Sequence, residues 1–158
     1  MFHNGFMTNY KELFSELFPS KDPSKINITD SELIAMMIGK QLDGGVNLKT
    51  AIKTIIENKM IGTWKLVVME VNKPSQMYVT KNVGPMFIGK SNNSVIIGSD
   101  KDIYSDLSKT YTIKKMVNNT LYEIKDDCSI IETKMQKKIN VERQPKPGYN
   151  HIFQEEIF

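Results

Sequence analysis

The chain has 158 residues, of which 40% are hydrophobic and 25% are charged, and its formal net charge is +3. These values fit one globular domain that buries a core. Only Arg143 among the 21 basic residues is an arginine. Because nucleic-acid recognition favours arginine and clustered charge, the dispersed lysines argue against a nucleic-acid partner.

The residues that usually hold metals or form disulfides are scarce in this chain. Cys128 is the single cysteine, which excludes an intramolecular disulfide framework and a cysteine-based zinc cluster. His3 and His151 lie far apart, so the sequence predicts no metal site. The first ten residues lack the features of a secretory signal, and no apolar run is long enough to span a bilayer. We therefore expect a soluble cytoplasmic protein.

The first half of the chain has the periodicity of helices. Apolar residues at helical spacing predict a first helix over residues 10–18, with Thr8 placed to cap it. Thr29 and Glu32 have capping-box spacing at the start of a second helix, which ends at Gly44. A third helix is predicted over about residues 48–58.

The second half of the chain changes to β-branched and aromatic runs, which are typical of strands. The predicted strands are residues 64–71, 77–80, 85–88, 95–98, 121–124 and 129–133. Turn residues at 73–75, 91–93 and 125–127 separate them, so the sheet should be largely antiparallel. A short helix is predicted near residues 102–107, and a connector at 144–148 precedes a last amphipathic piece at 149–158.

Residues 84–91 match the pattern of a phosphate-binding P-loop letter for letter. A phosphate cradle requires a flexible loop between a strand and a helix, so that amides and the helix dipole converge on the phosphates. Here the intervening residues are apolar and strand-like, and a turn at 92–93 follows. We therefore interpret the match as chance.

Several single residues have simple structural interpretations. The dipeptide Asn4–Gly5 is typical of a tight turn, and Asp30 is placed to help start a helix. Cys128 follows a turn and precedes apolar residues, which predicts a small, partly buried strand residue. Trp64 begins an apolar strand and is expected in the core.

A set of landmarks spread along the chain resembles one known family. The landmarks are residues 3–5, 8–13, 29–35, 62–64, 85–89, 99–100 and 153–158. Their order and spacing resemble the glutaminase domain of glucosamine-6-phosphate synthase, also called glutamine–fructose-6-phosphate aminotransferase, a class II glutamine amidotransferase. The agreement extends over essentially the whole chain.

The resemblance implies the α+β fold of the N-terminal nucleophile hydrolases, an αββα sandwich of two antiparallel sheets between helical layers. In such enzymes an amino-terminal cysteine attacks the side-chain amide of glutamine, its own α-amine acts as the base, and ammonia is released. A second domain then uses the ammonia for glucosamine-6-phosphate synthesis. Glutamine is the implied substrate, and we expect no cofactor and no membrane partner.

The same resemblance implies roles for three residues of this chain. Asn4 and Gly5 match the oxyanion hole, in which the Asn4 side-chain amide and the Gly5 backbone N–H face the oxygen of the tetrahedral intermediate. Asp30 matches the carboxylate that binds the α-ammonium of glutamine through a charge-assisted contact. The turn and helix-start interpretations are compatible with these roles.

The chain also departs from the family in ways that bear on activity. Met1 stands just before the Asn–Gly element, so we expect residues 1–158 to be a carboxy-terminal portion of the domain. On this expectation the amino-terminal strands, the nucleophilic cysteine, the arginine that binds the glutamine carboxylate and the sugar-isomerase domains are missing. Cys128 is no substitute, because an internal cysteine has no α-amine to act as base. We also expect an open sheet edge with poor solubility or a partner.

Three hypotheses follow from the sequence. The chain is a truncated or split glutaminase, inactive alone and completed by a separate polypeptide that carries the cysteine-bearing strands. Alternatively, it is a non-catalytic remnant that acts as a binding or regulatory module. The third hypothesis is an unrelated α+β binding domain whose landmarks match by accident.

Overall fold

A computed structural model describes residues 1–100, 102 and 109–137 of the chain. The helices are α1 (Tyr10–Leu17), α2 (Asp30–Asp43) and α3 (Leu48–Asn58), with a 3-10 turn at Pro23–Lys25. The strands are β1 (Phe2–Met7), β2 (Gly62–Glu70), β3 (Lys73–Lys81), β4 (Phe87–Lys90), β5 (Val95–Gly98), β6 (Thr112–Lys115), β7 (Thr120–Lys125) and β8 (Ile130–Lys134). Apart from Asp102, the helix predicted near 102–107 lies outside the described residues, as do the segments at 144–148 and 149–158.

The strands form two antiparallel sheets. The larger sheet has the order β1-β2-β3-β7-β8, and the smaller one has the order β5-β4-β6. One buried cluster joins all three helices to Trp64, Leu66 and Leu121 of the larger sheet. A second cluster joins the opposite face of that sheet, through Val79 and Tyr122, to the smaller sheet. The described residues therefore form a helix layer, a sheet and a second sheet, in that order.

The starts of α2 and α3 follow from their capping residues, and the capping box of α2 is the one that the sequence predicts. The Thr29 hydroxyl accepts from the Glu32 N–H at 3.2 Å, and the Thr29 N–H donates to the Glu32 carboxylate at 2.7 Å. Asn47 caps α3 by accepting from the Thr50 N–H at 2.9 Å. The predicted end of α2 is also confirmed, because Gly44 is its C-cap. Both caps satisfy backbone donors that a helix leaves unpaired at its first turn.

The predicted cap of α1 is wrong. Asn9, not Thr8, is the N-cap, and its side chain makes no capping bond. Thr8 instead extends the pairing of β1 with the segment before β2, since its N–H and its hydroxyl both donate to the Ile61 carbonyl, at 2.7 and 3.0 Å. The Thr8 hydroxyl therefore makes a tertiary hydrogen bond instead of the helix cap that local spacing predicts.

Replacing Thr29 with alanine is expected to destabilise the protein by about 1 kcal/mol, because it removes the acceptor of the capping box. Urea denaturation followed by circular dichroism measures this change. Thr50→Ala is the matched control, since Thr50 is exposed in the first turn of α3 and its loss should change stability by less than about 0.5 kcal/mol. Equal effects of the two substitutions would contradict the role of the capping box.

The strand predictions are correct for β2, β4, β5, β7 and β8 to within about two residues at their ends, and two corrections are needed elsewhere. The turn predicted at 73–75 is wrong: these residues begin β3, and the chain turns at Val71 and Asn72. β6 was not predicted, because its sequence is mostly polar. Residues 84–91 lead into β4 and then a bend before β5, so the context of a P-loop is absent from this segment, as expected.

The interpretation of Asn4–Gly5 as a turn is also wrong, because both residues lie in the middle of β1. Asn4 pairs with Lys65 and Gly5 pairs with Trp64 across the β1–β2 ladder. A Cβ on Gly5 would lie 2.1 Å from the Thr63 carbonyl oxygen. Glycine is needed here for the close approach of two backbones, and not for a tight turn.

β1 is an edge strand of the larger sheet. Its side chains alternate, so that Met7 is buried on the helix side while Phe2 and Phe6 lie on the other face. Phe2 is 58% exposed and Phe6 is 56% exposed. These two side chains place apolar surface at this edge of the described sheet.

Candidate functional site

The first residue of α2, Asp30, lies beside β1. The Met7 N–H donates to the Asp30 carboxylate, with 3.4 Å between nitrogen and oxygen. The capping box fixes where α2 begins, and the helix N-terminus stabilises a carboxylate at this position. This hydrogen bond joins Asp30 to Met7 of β1, which lies 23 positions earlier in the sequence.

The backbone N–H of Gly5 points to the same edge as Asp30. The N–H groups of Phe6 and Thr8 point toward β2, where they donate to Thr63 Oγ1 at 3.2 Å and to the Ile61 carbonyl at 2.7 Å. Because successive N–H groups of a strand point to opposite sides, the N–H of Gly5 points away from β2, as that of Met7 does. Gly5 and Met7 are about 7 Å apart along the strand.

The Asn4 side chain lies on the opposite face of β1 from His3 and Met7, by strand alternation. This side chain is exposed and makes no hydrogen bond to any other described residue. The structure therefore brings Gly5 and Asp30 to one edge of the sheet, and it places the Asn4 amide next to that edge on the side of the smaller sheet.

Sequence reasoning gave no role to His3, which contacts Asp30. The His3 Nδ1 atom is 3.0 Å from the Ser31 hydroxyl and 3.6 Å from the Asp30 carboxylate. Its side chain is 1% exposed, and its Nε2 atom has no hydrogen-bond partner among the described residues. The alternation of His3, Gly5 and Met7 would have placed His3 on the helix side, had β1 been recognised as a strand.

The surroundings of Asp30 carry further negative charge. The Thr29 N–H holds the pKa of the Glu32 carboxyl below its ordinary value. Burial raises the pKa of the Tyr10 hydroxyl, and the nearby charges of Asp30 and Glu32 raise it further. That hydroxyl donates to the Ile28 carbonyl. The edge beside α2 is therefore an environment that favours a cationic group such as an ammonium.

Cys128 lies far from this edge. It sits in the turn between β7 and β8 with a φ of 61°, and it is buried. The prediction of a strand residue is therefore wrong, although burial was expected. β7 stands three strands from β1 in the sheet order, which separates them by about 14 Å at the usual strand spacing. Its thiol therefore does not face the Gly5 N–H or the Asp30 carboxylate.

Three cavities among the described residues lie elsewhere. One measures about 430 Å³ between the two sheets, and Tyr122, Lys114 and Glu132 are among the residues that line it. Two others adjoin α1, and none of the three is lined by Asn4, Gly5 or Asp30. No group of three potential metal ligands occurs in the described ranges. No helix within those ranges is long and apolar enough to cross a membrane.

Relatives of known function match nearly the whole chain. Glutamine–fructose-6-phosphate aminotransferase of Thermococcus kodakarensis is 25% identical over 99% of this chain and 27% of its own length. The same enzyme of Methanocaldococcus jannaschii is 28% identical over 98% of this chain and 15% of its own length. The chain thus spans about a quarter or less of these relatives. A comparison with models of protein families found no match.

Solved structures show the same fold. An allosteric regulatory enzyme of purine biosynthesis superposes with a TM-score of 0.68 and 22% identity over 87% of this chain and 28% of its own. Glutamine phosphoribosylpyrophosphate amidotransferase from B. subtilis gives a TM-score of 0.69 and 21% identity over 88% and 29% of the two chains. The predicted α+β fold of the N-terminal nucleophile hydrolase type is confirmed, and an accidental match of the landmarks is ruled out.

Proposed function

From the premise that this chain resembles class II glutamine amidotransferases in both sequence and fold, we propose that residues 1–158 are the glutamine-binding part of a glutaminase domain. The Asp30 carboxylate binds the α-ammonium of glutamine. The Gly5 N–H and the Asn4 side-chain amide donate to the oxygen of the side-chain amide as it becomes an oxyanion.

One observation carries this proposal: the hydrogen bond from the Met7 N–H to the Asp30 carboxylate. It sets the carboxylate about 7 Å along β1 from the Gly5 N–H, both on the free edge. An extended glutamine places its α-ammonium and its amide oxygen at opposite ends of the molecule, so both groups can be engaged at once. The edge is also exposed at Asn4 and Gly5, so a substrate can reach it.

Hydrolysis requires a nucleophile that the described edge does not contain. A cysteine thiol must attack the amide carbon after giving its proton to a base, the C–N bond must then break to release ammonia, and water must hydrolyse the thioester. We propose that this cysteine lies on a separate polypeptide that docks at the free edge of β1. On this proposal the chain is inactive alone, and the ammonia serves glucosamine-6-phosphate synthesis.

The alternative is a non-catalytic module that binds glutamine without hydrolysing it. The distance of Cys128 from the edge favours this alternative if no cysteine-bearing partner exists. The two proposals share the glutamine site and differ only in the chemistry that follows binding.

The proposal is tested by mixing the chain with a polypeptide that carries the amino-terminal cysteine strands of a class II glutaminase. Ammonia release from L-glutamine is expected in the mixture, and Asn4→Ala should lower kcat by on the order of 100-fold. Asn72→Ala, in the exposed turn between β2 and β3, is the matched control.

Full activity of Asn4→Ala in the mixture would contradict its role in the oxyanion hole. Glutamine hydrolysis by the purified chain without a partner would contradict the need for an outside cysteine. Saturable glutamine binding without ammonia release would favour the binding module.

A further inference from the structure

Two lysine ammonium groups lie close to Gly84. Lys65 and Lys81 are directly opposed across β2 and β3, so their side chains share the face that looks toward the smaller sheet. The Lys81 ammonium donates to the Gly84 carbonyl at 2.8 Å. The Lys65 Nζ atom lies 3.1 Å from the place where a Cβ on Gly84 would stand.

Lys81 is buried, although it carries a cationic group. It is only 3% exposed, and besides Gly84 its ammonium contacts the side-chain oxygen of Asn118. Both partners are neutral oxygens. Burial lowers the pKa of Lys81, and the charges of Lys115 and Lys65 lower it further. Lys115, which pairs with Phe87 in the smaller sheet, lies on the outer face of that sheet, because its neighbour Lys114 lines the cavity between the sheets.

No described carboxylate neutralises this cluster. Other lysines of the chain pair with acids, such as Lys49 with Glu123 and Lys114 with Glu132. Lys65, Lys81 and Lys115 make no ion pair with any described residue. A buried ammonium is costly without a counter-charge, and three like charges add repulsion.

We infer that Lys65 and Lys81 form a binding site for a small oxyanion, a phosphate or a carboxylate, beside Gly84. The anion supplies the counter-charge that the described residues lack. Lys81 forms the buried wall of the site, and the half-buried Lys65 forms its outer side. Asn4 pairs with Lys65, and Lys65 pairs with Lys81, so Lys65 lies between Asn4 and Lys81. Anion binding at this site does not depend on glutamine binding.

The test is a titration of the ¹⁵N-labelled full chain with sodium phosphate and, separately, with sodium acetate, against sodium chloride at the same ionic strength. We expect a saturable change at the Gly84 backbone amide with phosphate or acetate, and the arm with the higher affinity identifies the class of anion. Lys81→Met should weaken that affinity by roughly 10-fold or more, because each charged contact contributes strongly in a buried site. Lys11→Met, on an exposed position of α1, should leave it unchanged.

A second measurement separates loss of the site from loss of folding. Because the pKa of Lys81 is lowered in the folded state, the unfolded chain binds more protons at this residue above that pKa. Lys81→Met should fold, and its stability relative to the wild type should fall as the pH rises from the lowered pKa of Lys81 toward the ordinary lysine pKa. The inference is overturned if neither anion changes the Gly84 amide saturably, or if folded Lys81→Met and Lys65→Met variants bind the anion as tightly as the wild type.

Discussion

Replacing Gly5 with alanine is expected to destabilise the protein by about 3 kcal/mol or more and to displace β1 from β2. The added Cβ would lie 2.1 Å from the Thr63 carbonyl oxygen and 2.8 Å from the Trp64 Cα atom. These are backbone atoms of a paired strand, so no side-chain rotation relieves the overlap. Urea denaturation followed by tryptophan fluorescence measures the change, because Trp64 is buried directly across the ladder.

Gly39→Ala is the matched control for this prediction. Gly39 lies inside α2 and no atom would come within 4 Å of an added Cβ, so the substitution should stabilise the helix by up to about 1 kcal/mol. Gly62→Ala should reproduce the loss, since its Cβ would lie 2.0 Å from the Phe6 carbonyl oxygen. Wild-type stability in Gly5→Ala would show that β1 and β2 do not pack as described.

Replacing Asp30 with asparagine is expected to weaken L-glutamine binding by on the order of 100-fold, because it leaves the α-ammonium of the substrate without its counter-charge. Asparagine keeps an oxygen that accepts from the Met7 N–H, so the position of α2 against β1 should be preserved. Isothermal titration calorimetry measures the affinity, and the free energy of unfolding verifies that the fold is intact.

Asp43→Asn is the matched control for Asp30→Asn. Asp43 is the exposed last residue of the same helix, so the substitution removes the same charge at the end far from β1. It should leave glutamine affinity unchanged. If Asp43→Asn weakens binding as much as Asp30→Asn, the effect of Asp30 comes from net charge, and its proposed contact with the ammonium is wrong.

The helices were predictable because their signals are local. The capping box of Thr29 and Glu32 and the glycine at 44 fix the ends of α2 within a few residues of sequence. The apolar spacing of α3 likewise predicts its buried face, which includes Ile52 and Ile55. No distant partner is needed to form either signal.

The strands that sequence reasoning missed or misread depend on their neighbours. Asn4–Gly5 favours a turn locally, and only the pairing with β2 makes it part of a strand. Pro74 likewise indicates a turn, but it lies at the start of β3, before the stretch that pairs with β7 from Gln76 onward. A proline is tolerated there, because its missing N–H interrupts no bond to β7.

The candidate site was predictable only in part. The family resemblance named Asn4, Gly5 and Asp30, and the structure places the last two along one edge. His3 and the lysine cluster at Gly84 were beyond sequence reasoning, since both depend on which strands and helices are neighbours. Lys65 and Lys81 are 16 positions apart, yet the β2–β3 register makes them directly opposed.

A titration of the ¹⁵N-labelled chain with L-glutamine, followed through the Gly5 backbone amide and the Asn4 side-chain amide, tests the glutamine site most directly. We expect saturable shifts of both signals with L-glutamine, and loss of those shifts in Asp30→Asn. D-Glutamine, whose ammonium is misplaced, should bind more weakly. Shifts confined to the cavity around Tyr122, or no saturable shift at Gly5, would contradict the proposed glutamine site.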